Sequence, residues 1–311
     1  SLSMESKIGA EMIETALREM QAENGHLREV LRSFGKTLIE QARWRTELHE
    51  IMGRAFEPAG LDGFHQNATP DSESFEEGVP ITNREHLVRL GDLWHTAAER
   101  LIPSLLEGFP AISEALRKLR SSIATGFIPH GFLEASFRGR TDEALTIALR
   151  EGIERDILFF ALNQLAKPVV QERAEMLAPR AEGLSWNRGY CFVCGSFPGM
   201  SFLWGKEGQR WLRCGFCSST WRFHRTACPF CGTHDLQDRE IFFVEGREYE
   251  TSEACHKCGR YINSIDTRNM AKEPVQEVMD LSLMHLDIAV QKKGFKLMKG
   301  VGWKNPANTL Q

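Results

Sequence analysis

The chain reads as α+β: an all-helical amino-terminal domain, two rubredoxin-like or zinc-ribbon metal modules, and a carboxy-terminal helix. Three observations predict this. Apolar residues recur on a roughly 3.6-residue period up to about residue 180, and all eight cysteines then fall between Cys191 and Cys258 as four Cys-x-x-Cys pairs. Helical periodicity returns from Ala271. The corresponding divisions are residues 1–185, 186–226, 227–270 and 271–311.

With 311 residues and 42% apolar content, the chain can bury a substantial core. Met4 reads as the start of translation, with Ser1 to Ser3 as added residues, and no signal peptide follows it. The longest apolar runs, such as Ile157 to Leu162, fall short of the ~20 residues that span a bilayer, so no membrane insertion is expected. Paired cysteines without an export signal point to a reducing compartment, the cytoplasm. Charge is uneven: 21 Lys/Arg stand against 29 Asp/Glu up to Ser185, and 17 against 13 beyond it. Eight thiolates around two divalent ions would bring the second half close to neutral. That argues against a nucleic-acid partner, which needs a basic footprint.

In chain order, residues 5–52 read as one amphipathic helix carrying Met12, Ala16, Met20, Leu27, Leu31, Phe34 and Leu38. Residues 57–81, with Pro58, Gly60, Gly63, Pro70 and Gly78, read as a long loop. Thr82 and Asn83 read as an N-cap. The helix after them carries Leu87, Leu90, Trp94, Ala97 and Leu101 and ends at Pro103 or soon after. Shorter helices are expected over 111–124 and 131–137, and another opens at Thr141. Residues 155–177 are apolar almost all round, as at the centre of a bundle, with Pro168 expected to kink or interrupt them. His26, His49, His86 and His95 lie on these helices without a cysteine or carboxylate cluster and read as solvated or packing residues.

The four pairs are Cys191/Cys194, Cys214/Cys217, Cys228/Cys231 and Cys255/Cys258. Taken sequentially they make two four-sulfur sites: Cys191, Cys194, Cys214 and Cys217, then Cys228, Cys231, Cys255 and Cys258. Crossed pairing is possible but needs more chain. A tetrahedral set of four thiolates suits zinc or a single iron, with metal–sulfur bonds of about 2.3 Å for zinc. Gly195, Gly232 and Gly259 each follow a pair, where positive φ completes the turn. Ser218 takes that place after Cys217, which predicts a looser knuckle there. Strands are expected at Gly199 to Trp204, Gln209 to Arg213 and Ile241 to Val244, with Gly205 to Gly208 as a hairpin turn. Trp186, Phe192, Phe202, Trp211 and Trp221 are the candidate small core. Modules of this size fold together with their metal. Residues 271–293 read as the closing helix and 294–311 as an irregular tail.

The residues beside the cysteines carry a resemblance. Tyr190-Cys191-x-x-Cys194-Gly195-Ser196-x-Pro198, Arg213-Cys214-x-x-Cys217 with Trp221 and Arg225, Cys228-Pro-Phe-Cys231, and Glu253-Ala254-Cys255-x-x-Cys258-Gly259-x-Tyr261 resemble the formate dehydrogenase accessory protein family, FdhE. Asp280 and Asp287 fit the same pattern. The chain departs from it at Arg222, where the family usually has His. The resemblance implies a non-enzymatic cytoplasmic maturation factor that engages the catalytic subunit of formate dehydrogenase. It also implies rubredoxin-like sites associated with iron, so iron stands beside zinc for both positions. Two other classes compete: a zinc-ribbon nucleic-acid binder and an iron–thiolate redox module. No nucleophile elbow, phosphate-binding glycine loop or paired carboxylates are present, so no enzyme activity is expected.

Overall fold

The computed structural model describes residues 8–54, 71–298, 300 and 302. Among these, contacts gather the chain into two compact units that do not follow chain order. One holds 8–54 and 84–173; the other holds 71–83 together with the described residues from Ala174 onward.

The first unit is helical. α1 (Ala10–Glu23) and α2 (Arg28–Arg54) are separate, where one helix was expected. Asn24 leaves helical geometry at φ −134°, and Gly25 to Leu27 make a single 3-10 turn. Two poor helix formers in succession account for the break. Ile13 and Met20 face inward, while Met12 is exposed, one position off the expected stripe.

In the second unit, residues 71–83 are not simply loop. Asp71 caps a short helix, α3 (Ser72–Glu76), by accepting from the Ser74 amide, and Phe75 is fully buried. Residues 57–70 of the expected 57–81 loop lie outside the described residues.

The first unit resumes at α4 (Arg84–Leu87), followed by α5 (Leu93–Gly108). α5 continues five residues past Pro103, because the buried face there is mostly apolar, with Leu101, Ile102 and Leu105 buried. Then come α6 (Ser113–Ala124), α7 (Pro129–Phe137), α8 (Thr141–Glu151) and α9 (Arg155–Leu177). α9 runs straight through Pro168 in its assignment. A proline there leaves the Gln164 carbonyl without its usual donor. The buried Gln41 side chain on α2 supplies one, with Nε2 donating to that carbonyl at 2.9 Å. The packed Arg173 on α9 donates to the carbonyls of Leu87 and Arg89; burial lowers its pKa to about 10.

The second unit is built on one mixed sheet. β1 (Pro198–Trp204), β2 (Gln209–Cys214) and β3 (Thr220–Arg222) form one antiparallel set. β4 (Arg239–Phe243), β5 (Glu250–Cys255) and β6 (Arg260–Asp266) form another. β1 and β6 pair in parallel, giving the order β3-β2-β1-β6-β5-β4. The two modules are therefore fused into one sheet rather than strung as separate ribbons. The closing helix is two: α10 (Gln276–Ser282) and α11 (Met284–Lys292). Leu283 and Leu286 pack with Met200, Phe202, Trp211 and Ile265, and Val290 packs with Ala254, Tyr261 and Phe295. The short β7 (Lys296–Leu297) then pairs β6 in parallel. No helix among the described residues is long and apolar enough to cross a membrane.

Candidate metal centres

Two of the cysteine pairs sit where a strand meets a turn, and two sit in tight loops. Cys214 ends β2 and Cys255 ends β5, so their sulfurs are held by the ladder. Cys191 and Cys228 each begin a tight loop closed by backbone hydrogen bonds, Gly195 N to Cys191 O at 2.9 Å and Gly232 N to Cys228 O at 2.9 Å. Gly195, Gly232 and Gly259 have φ of 75°, 76° and 71°. Ser218 adopts φ 66° and is the non-glycine residue with positive φ among those described. The knuckle after Cys217 is thus not looser. It takes the same turn at a local cost, because an L side chain in this region is disfavoured by about 1 kcal/mol or more.

The pairing is sequential. Cys191, Cys194, Cys214 and Cys217 bring four sulfurs together, as do Cys228, Cys231, Cys255 and Cys258, each set lying within 4.8 Å. In the first, Cys191–Cys217 and Cys194–Cys214 are both 3.6 Å apart, and Cys194–Cys217 is 3.7 Å. In the second, Cys228–Cys258 is 3.8 Å and Cys231–Cys255 is 3.7 Å. These are the edge lengths of a tetrahedron with bonds of about 2.3 Å, the value for zinc–thiolate. The donor set fits zinc or iron alike.

Hydrogen bonds point at the sulfurs as they do at thiolates. The Val193 amide donates to Cys191 Sγ at 3.3 Å, and the Phe216 and Cys217 amides donate to Cys214 Sγ, both at 3.3 Å. The Ser196 and Ser219 hydroxyls lie 3.3 Å from Cys194 Sγ and 3.2 Å from Cys217 Sγ. Burial chiefly pushes the thiols of Cys191 and Cys217 well up; the neighbouring sulfurs add to it at Cys191, whereas at Cys217 the bond with Cys191 opposes it and Cys194 and Cys214 reinforce it. At Cys214 burial acts in the same direction, but hydrogen bonds from the other three cysteines outweigh it and bring the thiol well below its usual value. In the second cluster burial raises Cys228, and it raises Cys258 to about 11. Four mutually opposing thiols are a set that a cation can hold deprotonated together.

The residues that carried the resemblance turn out to brace these knuckles. Tyr190 Oη donates to the Gly78 carbonyl at 2.8 Å, and Trp221 Nε1 donates to the Arg188 carbonyl at 3.0 Å. Arg213 pairs with Glu277 on α10 at 3.1 Å. Asp287 on α11 accepts from Tyr261 Oη at 2.9 Å and Asn263 Nδ2 at 2.8 Å. His224, His234 and His256 stay out of both clusters; His256 meets Glu240 at 2.8 Å.

Sequence reasoning missed Arg210. Its guanidinium is buried on β2, donating to the Ala227 carbonyl at 2.8 Å just before Cys228, to Ser201 Oγ at 3.1 Å, and to Glu253 at 3.0 Å. Glu253 on β5 is shared with Arg239 at 2.7 Å. One buried cation therefore ties the first hairpin to both knuckles of the second site. An Arg at an inward-facing strand position is the only trace it leaves in the sequence.

The fold and the paired clusters define a class: a protein with one helical unit and a second unit whose single mixed sheet carries two four-cysteine, rubredoxin-like centres. The comparisons find relatives that share one name. No family model matches the chain. An FdhE homolog of Aquifex aeolicus is 33% identical over 150 residues, covering 47% of this chain and 52% of that one. FdhE homologs of Haemophilus influenzae, at 32% over 117 residues, and FdhE of Escherichia coli, at 30% over 115 residues, cover about a third of each chain. The chain thus spans about half the length of the Aquifex relative and less of the others. The crystal structure of the FdhE protein from Pseudomonas aeruginosa matches with a TM-score of 0.57 at 20% identity over 98% of this chain and 99% of that one, which shows the shared fold. These likenesses support the FdhE family.

Proposed function

We propose that the chain is a non-enzymatic accessory protein for formate dehydrogenase maturation, acting in the cytoplasm and engaging the catalytic subunit through a metal-stabilised platform. Cys191, Cys194, Cys214 and Cys217 hold one ion, and Cys228, Cys231, Cys255 and Cys258 hold a second, iron or zinc at each. A bound ion would supply charge neutralisation and a cross-link between knuckles. The chain's own residues do the rest. Backbone amides orient the sulfurs, Arg210 and Glu253 set one site against the other, and α10 and α11 close one face of the sheet.

The observation that carries this reading is that motif residues tie the cysteine-bearing segments to their surroundings, Tyr190 to Gly78, Trp221 to Arg188 and Tyr261 to Asp287. The near-neutral cysteine-bearing half gives the nucleic-acid alternative no support. Co-purification with a formate dehydrogenase catalytic subunit under reducing, anaerobic conditions tests it. Retention of that subunit by the native chain, and its loss on Cys214→Ser, is the expected outcome. A chain that holds its metal yet retains no catalytic subunit contradicts the proposal.

A further inference from the structure

The two clusters have the same donors and different surroundings. In the first, the four cysteines are at most 2% exposed. Two further segments clamp its leading knuckle. Ile81 and Thr82 donate to the Phe192 and Val193 carbonyls at 3.0 and 2.8 Å, and the Gly302 amide donates to the Gly195 carbonyl at 2.8 Å. Serine hydroxyls contact two of its sulfurs.

The second cluster is clamped at its trailing knuckle, where the Lys296 amide donates to the Gly259 carbonyl at 2.9 Å, but its sulfurs are far less covered. Cys231 is exposed, Cys228 and Cys258 are half-buried, and only Cys255 is buried, at 7%. A cleft of about 30 Å³ reaches it as well, lined by Cys228 and Cys255 together with Arg210, Arg239 and Arg260. That volume admits a water molecule. The three guanidinium groups along the cleft are matched by the carboxylates of Asp235, Asp238 and Glu253, so it is polar without a strong net charge. The loop carrying Cys231 is closed mainly by its own bonds, Cys228 N to Thr233 O and Gly232 N to Cys228 O, both at 2.9 Å, so it opens without breaking the sheet.

Resting on the metal-binding reading above, we infer that the two centres are unequal: the Cys191 cluster holds its ion permanently, and the Cys228 cluster is an exchange site whose first departing ligand is Cys231. In the exchange step a soft donor from solution, a thiolate or a nitrogen chelator, forms a bond to the ion as the Cys231 Sγ–metal bond breaks. The electron pair stays on Sγ, which takes a proton from water, and the metal's oxidation state does not change.

The test uses the full chain loaded anaerobically with zinc and challenged with a chromophoric chelator, with parallel iodoacetamide labelling followed by peptide mass spectrometry. Two ions per chain are expected, one released at least about tenfold faster than the other, as local opening without global unfolding requires. Cys231 should be alkylated first and the four cysteines of the buried cluster last. In Cys231→Ser the fast phase should vanish while the slow phase persists. Release of both ions at one rate, or labelling of Cys191 or Cys194 ahead of Cys231, overturns the inference and leaves the metal reading intact. Fewer than two ions bound by the native chain overturns both. The labelling order in native protein decides the matter even if the variant fails to fold.

Discussion

Ser218 shows how much a single position says. The turn after each pair needs positive φ, and three of the four have glycine; Ser218 takes φ 66° all the same. Replacing it with glycine removes the steric cost and adds some unfolded-state entropy, so Ser218→Gly is expected to stabilise the metal-loaded chain by up to about 1 kcal/mol. A rise in thermal midpoint measures it, and an unchanged or lower midpoint contradicts the reading of strain. Arg210 is the opposite case, a residue whose role was invisible until the strands were placed. Its guanidinium is buried and burial lowers its pKa, with Glu253 opposing that effect. Arg210→Met leaves Glu253 to Arg239 alone and orphans the Ala227 carbonyl. A loss of about 3 kcal/mol in urea unfolding is expected, as for other broken buried ion pairs. A loss under about 1 kcal/mol would mean the network does not hold the second site in place.

At the scale of elements, what the sequence showed and what it hid have distinct physical causes. α9 was legible end to end because a long apolar run has one good solution. α1 and α2 were merged because periodicity continues across Asn24 and Gly25, and only the backbone reveals the break. Pro168 was expected to disturb α9, and the disturbance was met from another helix: Gln41 donates to the carbonyl that the proline strands. Gln41→Leu is therefore expected to cost about 1–2 kcal/mol, far more than loss of an exposed glutamine, in equilibrium unfolding; a loss below half of that would assign the proline's accommodation to something else. The cluster residues were legible from spacing alone, but β3, β5, β6 and β7 were not: β3 and β7 are only two or three residues long, and β5 and β6 mix apolar residues with polar ones that are buried only by the sheet, such as Ser252 and Ser264. Nothing local announced that 71–83 would lie beside the first knuckle.

Acid sensitivity also belongs to the elements. Burial chiefly, with help from Arg89, holds His86 on α4 and His130 on α7 below 6.5, while Glu134 and, for His86, Glu85 oppose it. The unfolded chain therefore takes up these protons first. Stability from the neutral imidazoles is complete above 6.5 and is lost as pH falls through the folded values. Between about pH 8 and about pH 5, the native chain should lose more stability than a His86→Gln/His130→Gln variant. Parallel urea midpoints check this, and equal losses in the two proteins would contradict it.

For the whole molecule, the main consequence of the fold is that the two modules are not independent. The parallel pairing of β1 with β6 and the span of Arg210 from β2 to Cys228 and Glu253 make one sheet carry both clusters. Sequence spacing suggested duplicated ribbons because each half has its own knuckles; the pairing that joins them, β1 of the first module with β6 of the second, is long-range and leaves no local trace. The account stands on the claim that this sheet holds two four-thiolate ions. Metal analysis of anaerobically purified protein, combined with X-ray absorption at the edge of the metal found, tests that claim most directly. Two ions per chain, each in a shell of four sulfurs at about 2.3 Å, is the predicted result; a single ion, or a first shell containing nitrogen or oxygen, would contradict it.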